Sequence, residues 1–210
     1  KKTKNIINKS LKKNKKILVN KNITILGSNS QLTKYLILLL KSYKYKFLFF
    51  YHSNKNDITF FLRKNKINNY ILDDIKEINK YKKEILESTY IFNFLTPQIF
   101  VKNSQFFSME KFNQFNRAYI HYTVNIINVL KLSNNKHYIF LPSSEILNNE
   151  GTPYLEYYLS KKSVEIFSKY QNSLNSKIKI YTKRLPLFNS NQTNISIFKI
   201  KKNQAINRIF

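Results

Sequence analysis

From Asn22 onward, short apolar runs alternate with longer segments in which apolar residues recur at helical spacing. The runs predict strands at about 23–27, 46–51, 69–72, 89–95, 137–142 and 177–184. The segments between them predict helices at about 31–42, 57–64, 75–86, 108–132 and 153–172. Runs such as "YIFNFL" and "HYIFLP" are apolar almost throughout, as expected of strands covered on both faces. Strand and helix in alternation predict βαβ units, hence an α/β fold with a doubly wound, Rossmann-like parallel sheet. This regular region is expected to span 22–190 as one domain. It is flanked by a basic arm at 1–21, where apolar periodicity is weak, and a basic tail at 191–210. No apolar run approaches the roughly 18 residues needed to cross a bilayer.

Composition alters this picture in one respect. Lys, Asn, Ile, Phe and Tyr dominate, with only 2 Gly and 2 Ala, a skew that AT-rich codon usage produces without any functional cause. The net charge of +26 needs more than that skew, because all 11 acidic residues lie between Asp57 and Glu165. Both ends are therefore acid-free, which suits contact with a polyanion, either RNA or an anionic membrane surface. The candidate contacts are Lys1, Lys2, Lys4, Lys9, Lys12, Lys13, Lys15 and Lys16 in the arm, and Lys199, Lys201, Lys202 and Arg208 in the tail. Tail residues Ile195, Ile197, Phe198, Ile200, Ile206, Ile209 and Phe210 add apolar positions suited to a protein neighbour. With no cysteine there is no disulfide and no thiolate chemistry, and His52, His121 and His137 show no metal-ligand spacing. A Lys-rich, acid-poor start without Met fits import into an organelle, with the mitochondrion as the expectation.

The stretch "ITILGSNSQLTKYL" runs from a strand through one glycine into a helix. It resembles the first turn of the short-chain dehydrogenase/reductase (SDR) family, in particular its extended and atypical, epimerase-like members. Gly27, Ser30 and Thr33 fall on the family's three glycine positions. Further on, "NNYILDDIKEINKYKKEILESTYIFNFLTP" is similar to the third and fourth strands, with Asp73 or Asp74 at the adenine edge. "HYIFLPSSEILNNEGTPYLEYYLSKKSVEIFSKY" resembles the strand ending in Ser-Ser followed by Tyr-x-x-x-Lys, and "KIKIYTKRLPLF" the sixth strand. The resemblance implies Ser144, Tyr157 and Lys161 as catalytic groups with NAD(P) as cofactor. Physically, Tyr and Lys four apart share a helical face, so an ammonium beside the phenol favours the phenolate needed for acid–base work. Tyr158 with Lys162 satisfies the same spacing. Ser160 at a small-residue position favours the first register.

Several positions depart from the family pattern. Ser30 and Thr33 carry side chains where a pyrophosphate and helix packing want none. The end of the second strand offers His52 and Ser53 instead of an acid for ribose. The family's helix asparagine corresponds to Asn116 or Tyr119, and only about 20 residues follow "RLPLF" to build a substrate lobe. The expectation is thus a degenerate SDR fold, a pseudoenzyme with no cofactor unless an NAD(P) site survives. It would serve as a structural subunit of a large assembly, with rRNA and the mitochondrial ribosome slightly preferred. "HSNKNDI" and "YLSKKSVE" are similar to an SDR-like accessory subunit of respiratory complex I, which is the alternative setting. An active NAD(P)-dependent oxidoreductase or epimerase is the other.

Overall fold

The computed structural model describes residues 22–43, 45–99, 106–149, 152–174 and 177–186. Strands β1 (Asn22–Leu26), β2 (Lys46–Tyr51), β3 (Tyr70–Asp74), β4 (Ser88–Asn93), β5 (His137–Phe140) and β7 (Ile178–Tyr181) form one sheet in the order 3-2-1-4-5-7. All its pairings are parallel. Two-residue strands β6 (Ser143–Ser144) and β8 (Arg184–Leu185) pair beyond its C-terminal edge. Strand order reverses between β1 and β4, which opens a crevice at the strands' C-terminal ends, where doubly wound folds bind ligands.

Helices α1 (Gln31–Leu40) and α2 (Lys55–Lys64) cover one face of the sheet, packing Leu36, Ile37, Ile58 and Leu62 on Ile23, Ile25, Phe47 and Phe49. The other face holds α3 (Lys82–Glu87), α4 (Met109–Asn116), α5 (Tyr122–Leu130) and α6 (Leu155–Leu174). There Phe115, Ile126, Ile127 and Val164 pack on Leu26, Phe50, Ile91 and Ile139. Alternate residues of β1 and β2 thus serve opposite cores, which is why these strands read as unbroken apolar runs.

The observed elements differ from the predicted ones where side chains intervene. The fourth strand stops at Asn93, two residues early, because its Oδ1 accepts from the Leu95 amide at 3.1 Å. The fifth stops at Phe140, short of Pro142, which has no amide for a ladder. The segment predicted as helix at 75–86 begins as a 3-10 helix, Ile75–Tyr81, capped by Asp74. The long helix at 108–132 is broken by a π segment, Arg117–His121, between α4 and α5. No helix among the described residues is long and apolar enough to cross a membrane. The arm and the C-terminal tail lie outside the described residues.

Candidate active site

Gly27 occupies the end of β1 with φ +80°, and a Cβ there would lie 2.5 Å from the backbone carbon of Phe94. Two demands therefore keep this glycine: a left-handed backbone and the close approach of β4. The other two glycine positions carry hydroxyls that bond within the turn. Ser30 caps α1, its Oγ accepting from the Thr33 amide at 3.0 Å, and Thr33 Oγ1 donates to the Gly27 carbonyl at 2.9 Å. Four turn amides find partners inside the chain: Gly27 and Ser28 on the Phe50 carbonyl, Ser30 on Gly27, and Thr33 on the Ser30 hydroxyl. A phosphate bound here would have to displace that cap.

The crevice remains as a cleft of about 590 Å³, walled by the first turn, His52, Ser53 and Asn54 after β2, Phe94–Pro97 after β4, and Gln114, Arg117 and Tyr122 from the helices. Asn29 ties its two sides together by donating from Nδ2 to the carbonyls of Ser53 and Asn54, the latter at 2.8 Å. Asn54 itself adopts φ +51°. Asp57 lines the cleft but pairs with Lys34 at 2.8 Å. Asp73 and Asp74 are not among the lining residues. Asp73 accepts from the Tyr81 hydroxyl at 2.6 Å, which holds its carboxyl below the usual range, and Asp74 accepts from the Lys76 amide at 2.9 Å. Lys76 and Arg117, which sequence reasoning did not single out, are the cations that face the cleft. A dinucleotide held by its pyrophosphate would meet a turn in which the amides of Gly27, Ser28, Ser30 and Thr33 are already engaged and a second strand that supplies no carboxylate for ribose.

Ser144, Tyr157 and Lys161 come together on the far side of the π segment, and none of them lines the cleft. α6 turns Tyr157, Ser160, Lys161 and Val164 inward, while Lys162 is exposed, so the structure selects the first of the two registers. Lys161 is 3% exposed. Its Nζ donates to the Pro142 carbonyl at 2.8 Å and lies 3.7 Å from the centre of the Tyr119 ring, against 5.7 Å for the Tyr157 ring. Burial brings the Lys161 ammonium down to about 7 and pushes the Tyr157 phenol up to about 12, against the opposing effect of a Ser144 hydrogen bond. The resemblance requires a lowered phenol. Phe115 and Tyr119 pack edge-on to Tyr157 at 5.4 and 6.4 Å between ring centres, filling the space beside it.

The π segment also sets apart the two candidates for the family's asparagine position. Tyr119 faces Lys161, whereas Asn116 lines a shallow groove on the outer surface with Ile120 and Val124. The extra residue per turn rotates the helix face, and Asn93 holds it there by donating to the Ala118 carbonyl at 2.9 Å and to Thr123 Oγ1 at 3.0 Å. Asn93 was legible as the one amide inside an apolar strand. Behind Ser144, Glu165 accepts from Arg184 Nε and Nη2 at 2.8 and 2.9 Å and from Ser143 Oγ at 2.7 Å. These bonds hold the Glu165 carboxyl down to about 2, with Arg184 the larger cause, and fix β6 and β8 to α6. Among the described residues no cluster of His, Asp and Glu is placed to hold a metal ion. Lys1, Lys2, Lys4, Lys9, Lys12, Lys13, Lys15, Lys16, Lys199, Lys201, Lys202 and Arg208 lie outside the described residues.

No family model matches the sequence, and no curated protein matches it. In three dimensions the chain is similar to a dehydrogenase/reductase from Sinorhizobium meliloti, with a TM-score of 0.69 at 10% identity over 84% of this chain and 75% of that one. It is similar to a short-chain dehydrogenase from Burkholderia cenocepacia in complex with NADP, with a TM-score of 0.66 at 8% identity over 83% and 76%. A short-chain dehydrogenase/reductase from Saccharomyces cerevisiae gives 0.65 at 14% identity over 80% and 71%. At such identities the likeness is one of architecture alone. The chain has the doubly wound fold of the short-chain dehydrogenase/reductases.

Proposed function

We propose that this chain is a non-catalytic SDR-fold subunit of a large organellar assembly, with the mitochondrial ribosome as its setting and rRNA as its contact. The position of Lys161 carries the first half of this reading. With its ammonium on the Pro142 carbonyl and 3.7 Å from the Tyr119 ring centre, it is engaged away from the Tyr157 ring, and burial pushes the Tyr157 phenol up to about 12. The charge supports the second half. The first 21 residues hold nine cations and the last 24 hold four, with no acid in either, so a partner that supplies negative charge is required to order them.

Two other readings predict different companions. The cleft of about 590 Å³ favours a protein that still binds a nucleotide, either an accessory subunit of a respiratory complex or an NAD(P)-dependent oxidoreductase. Affinity purification of the native protein under low salt, with and without nuclease, separates them. Ribosomal proteins and rRNA should co-purify. Respiratory subunits insensitive to nuclease, or a lone protein that turns over NAD(P)H, would overturn the ribosomal reading.

A further inference from the structure

Most of the described acids gather at one edge of the sheet, together with cations such as Lys55, Lys76, Lys111 and Arg117. Asp57, Glu110 and Glu156 lie in the first turns of helices, Asp73 and Asp74 end β3, and Glu145 follows β6, all on the cleft edge. The opposite edge, formed by the strands' N-terminal ends, is cationic. Lys46 opens β2, Lys136 immediately precedes β5, and Lys177 immediately precedes β7. Because each crossover helix runs back against its strand, the same edge receives the ends of α1, α2 and α5. These bring Lys41, Arg63, Lys64 and Lys131, with Lys66 just beyond. Glu87, which accepts from Asn22 Nδ2 at 3.0 Å, and Glu84 are the acids that α3 contributes near this edge.

Cations at helix C-termini have a local reason, the negative end of the helix dipole. Lys46, Lys136 and Lys177 have no such reason, since each leads into a strand. Three more observations point to an outside partner. Lys41, Lys46, Arg63, Lys64, Lys66, Lys131 and Lys136 form no ion pair with a described carboxylate. Exposed amides are interspersed with them, Asn68 on one side and Asn135 on the other, while Asn65 and Asn69 bond the Phe61 and Tyr45 carbonyls and Asn134 accepts from Lys177. Finally, β1 lies in the interior of the sheet, so its first residue, Asn22, sits in the middle of this edge, with Lys46 on one side and Lys136 and Lys177 on the other, and the nine-cation segment 1–21 precedes it in the sequence.

We infer that the N-terminal edge of the sheet is an RNA-binding surface, and that it reads phosphates along a six-strand span of roughly 24 Å. The inference rests on the RNA-contacting part of the proposed function and adds to it the surface of the folded domain that makes the contact. Interspersed amides can bond sugar hydroxyls and base edges, which an acyl-chain surface does not offer. Counterion release then sets the salt dependence, about 0.7 to 0.9 in log–log slope for each phosphate neutralised.

The test compares the full chain with the Lys46→Gln/Lys136→Gln/Lys177→Gln triple variant and a cleft-edge control, Lys55→Gln/Lys111→Gln/Lys183→Gln, of equal net charge. Each is titrated with an in vitro transcribed rRNA hairpin and with phosphatidylserine vesicles across a salt series, after thermal melts establish that all three fold. The edge variant should lose about two to three units of salt slope on RNA, while the control keeps the parent slope. If all three bind RNA alike, the edge inference falls and the arm-based RNA reading stands. Failure of the full chain to bind the hairpin even at low salt brings down both. Loss of vesicle binding in the edge variant, with RNA binding unchanged, overturns the choice of RNA in favour of a membrane surface.

Discussion

Around Gly27 the chain keeps an open cleft but not the groups that the SDR pattern places there. Around Tyr157 it keeps the groups but not the space. In the first region the backbone still turns as required, with Gly27 pressed against Phe94, while the Ser30 hydroxyl takes up the Thr33 amide and the Thr33 hydroxyl bonds the Gly27 carbonyl. In the second, Ser144, Tyr157 and Lys161 are all present, yet Phe115 and Tyr119 fill the room beside the phenol and Lys161 turns to a carbonyl. Residue identity and functional geometry are therefore separable. A motif preserved in letters can persist because its side chains pack and cap.

The largest effect belongs to the feature common to both readings of the first turn. Gly27→Ala places a methyl group 2.5 Å from backbone at φ +80°, and is expected to cost about 3 kcal/mol by urea unfolding. Lys161→Met distinguishes the two regions more sharply. The unfolded lysine holds its proton to its ordinary value of 10.5, while the folded one releases it near 7. Between those values the unfolded chain binds more protons, so stability rises with pH across that window and the burial cost is fully felt below about 7. The variant should remove that slope and be more stable than the parent at pH 7 by about 2 kcal/mol, even though it leaves the Pro142 carbonyl without its donor. Strong destabilisation would mean that Lys161 is well paired and poised.

Arg184→Ala tests whether the clamp behind Ser144 matters. Its expected cost is about 1–2 kcal/mol at pH 7, reduced by the pair's partial exposure to solvent. Glu165 is depressed to about 2 from 4.5, so its contribution is complete above 4.5 and fades as pH falls through about 2. The variant should lose this acid-range dependence in pH-resolved melts. The smallest effect is expected of Ser30→Gly/Thr33→Gly, which restores the glycine pattern. It should cost about 1 kcal/mol in helix stability and confer no NAD(P)H-dependent turnover, because Tyr157 stays enclosed.

Much of the architecture was legible in the sequence, because apolar runs buried on both faces and short crossovers leave few alternatives to a doubly wound sheet. The inward register of Tyr157 and Lys161 was also legible, from the small residue at Ser160. The environment of these two residues was not. It depends on the π segment, which shifts the helix face so that Tyr119 rather than Asn116 meets Lys161, and on Asn93, whose amide satisfies the Ala118 carbonyl from another element. Helical periodicity carries no sign of one extra residue in a turn. Asp73 and Asp74 illustrate a similar limit: their spacing suits an adenine edge, but local bonds to Tyr81 and to the Lys76 amide claim them first. The cationic edge emerged only once the crossovers fixed which ends of strands and helices lie together.

Calorimetric titration of the full chain with NADH and NADPH tests the central claim most directly, because both regions must be intact for a cofactor to be held productively. The first turn as built predicts no saturable heat below about 1 mM of either dinucleotide. One-to-one binding in the low micromolar range would contradict it and return Ser144, Tyr157 and Lys161 to a catalytic role.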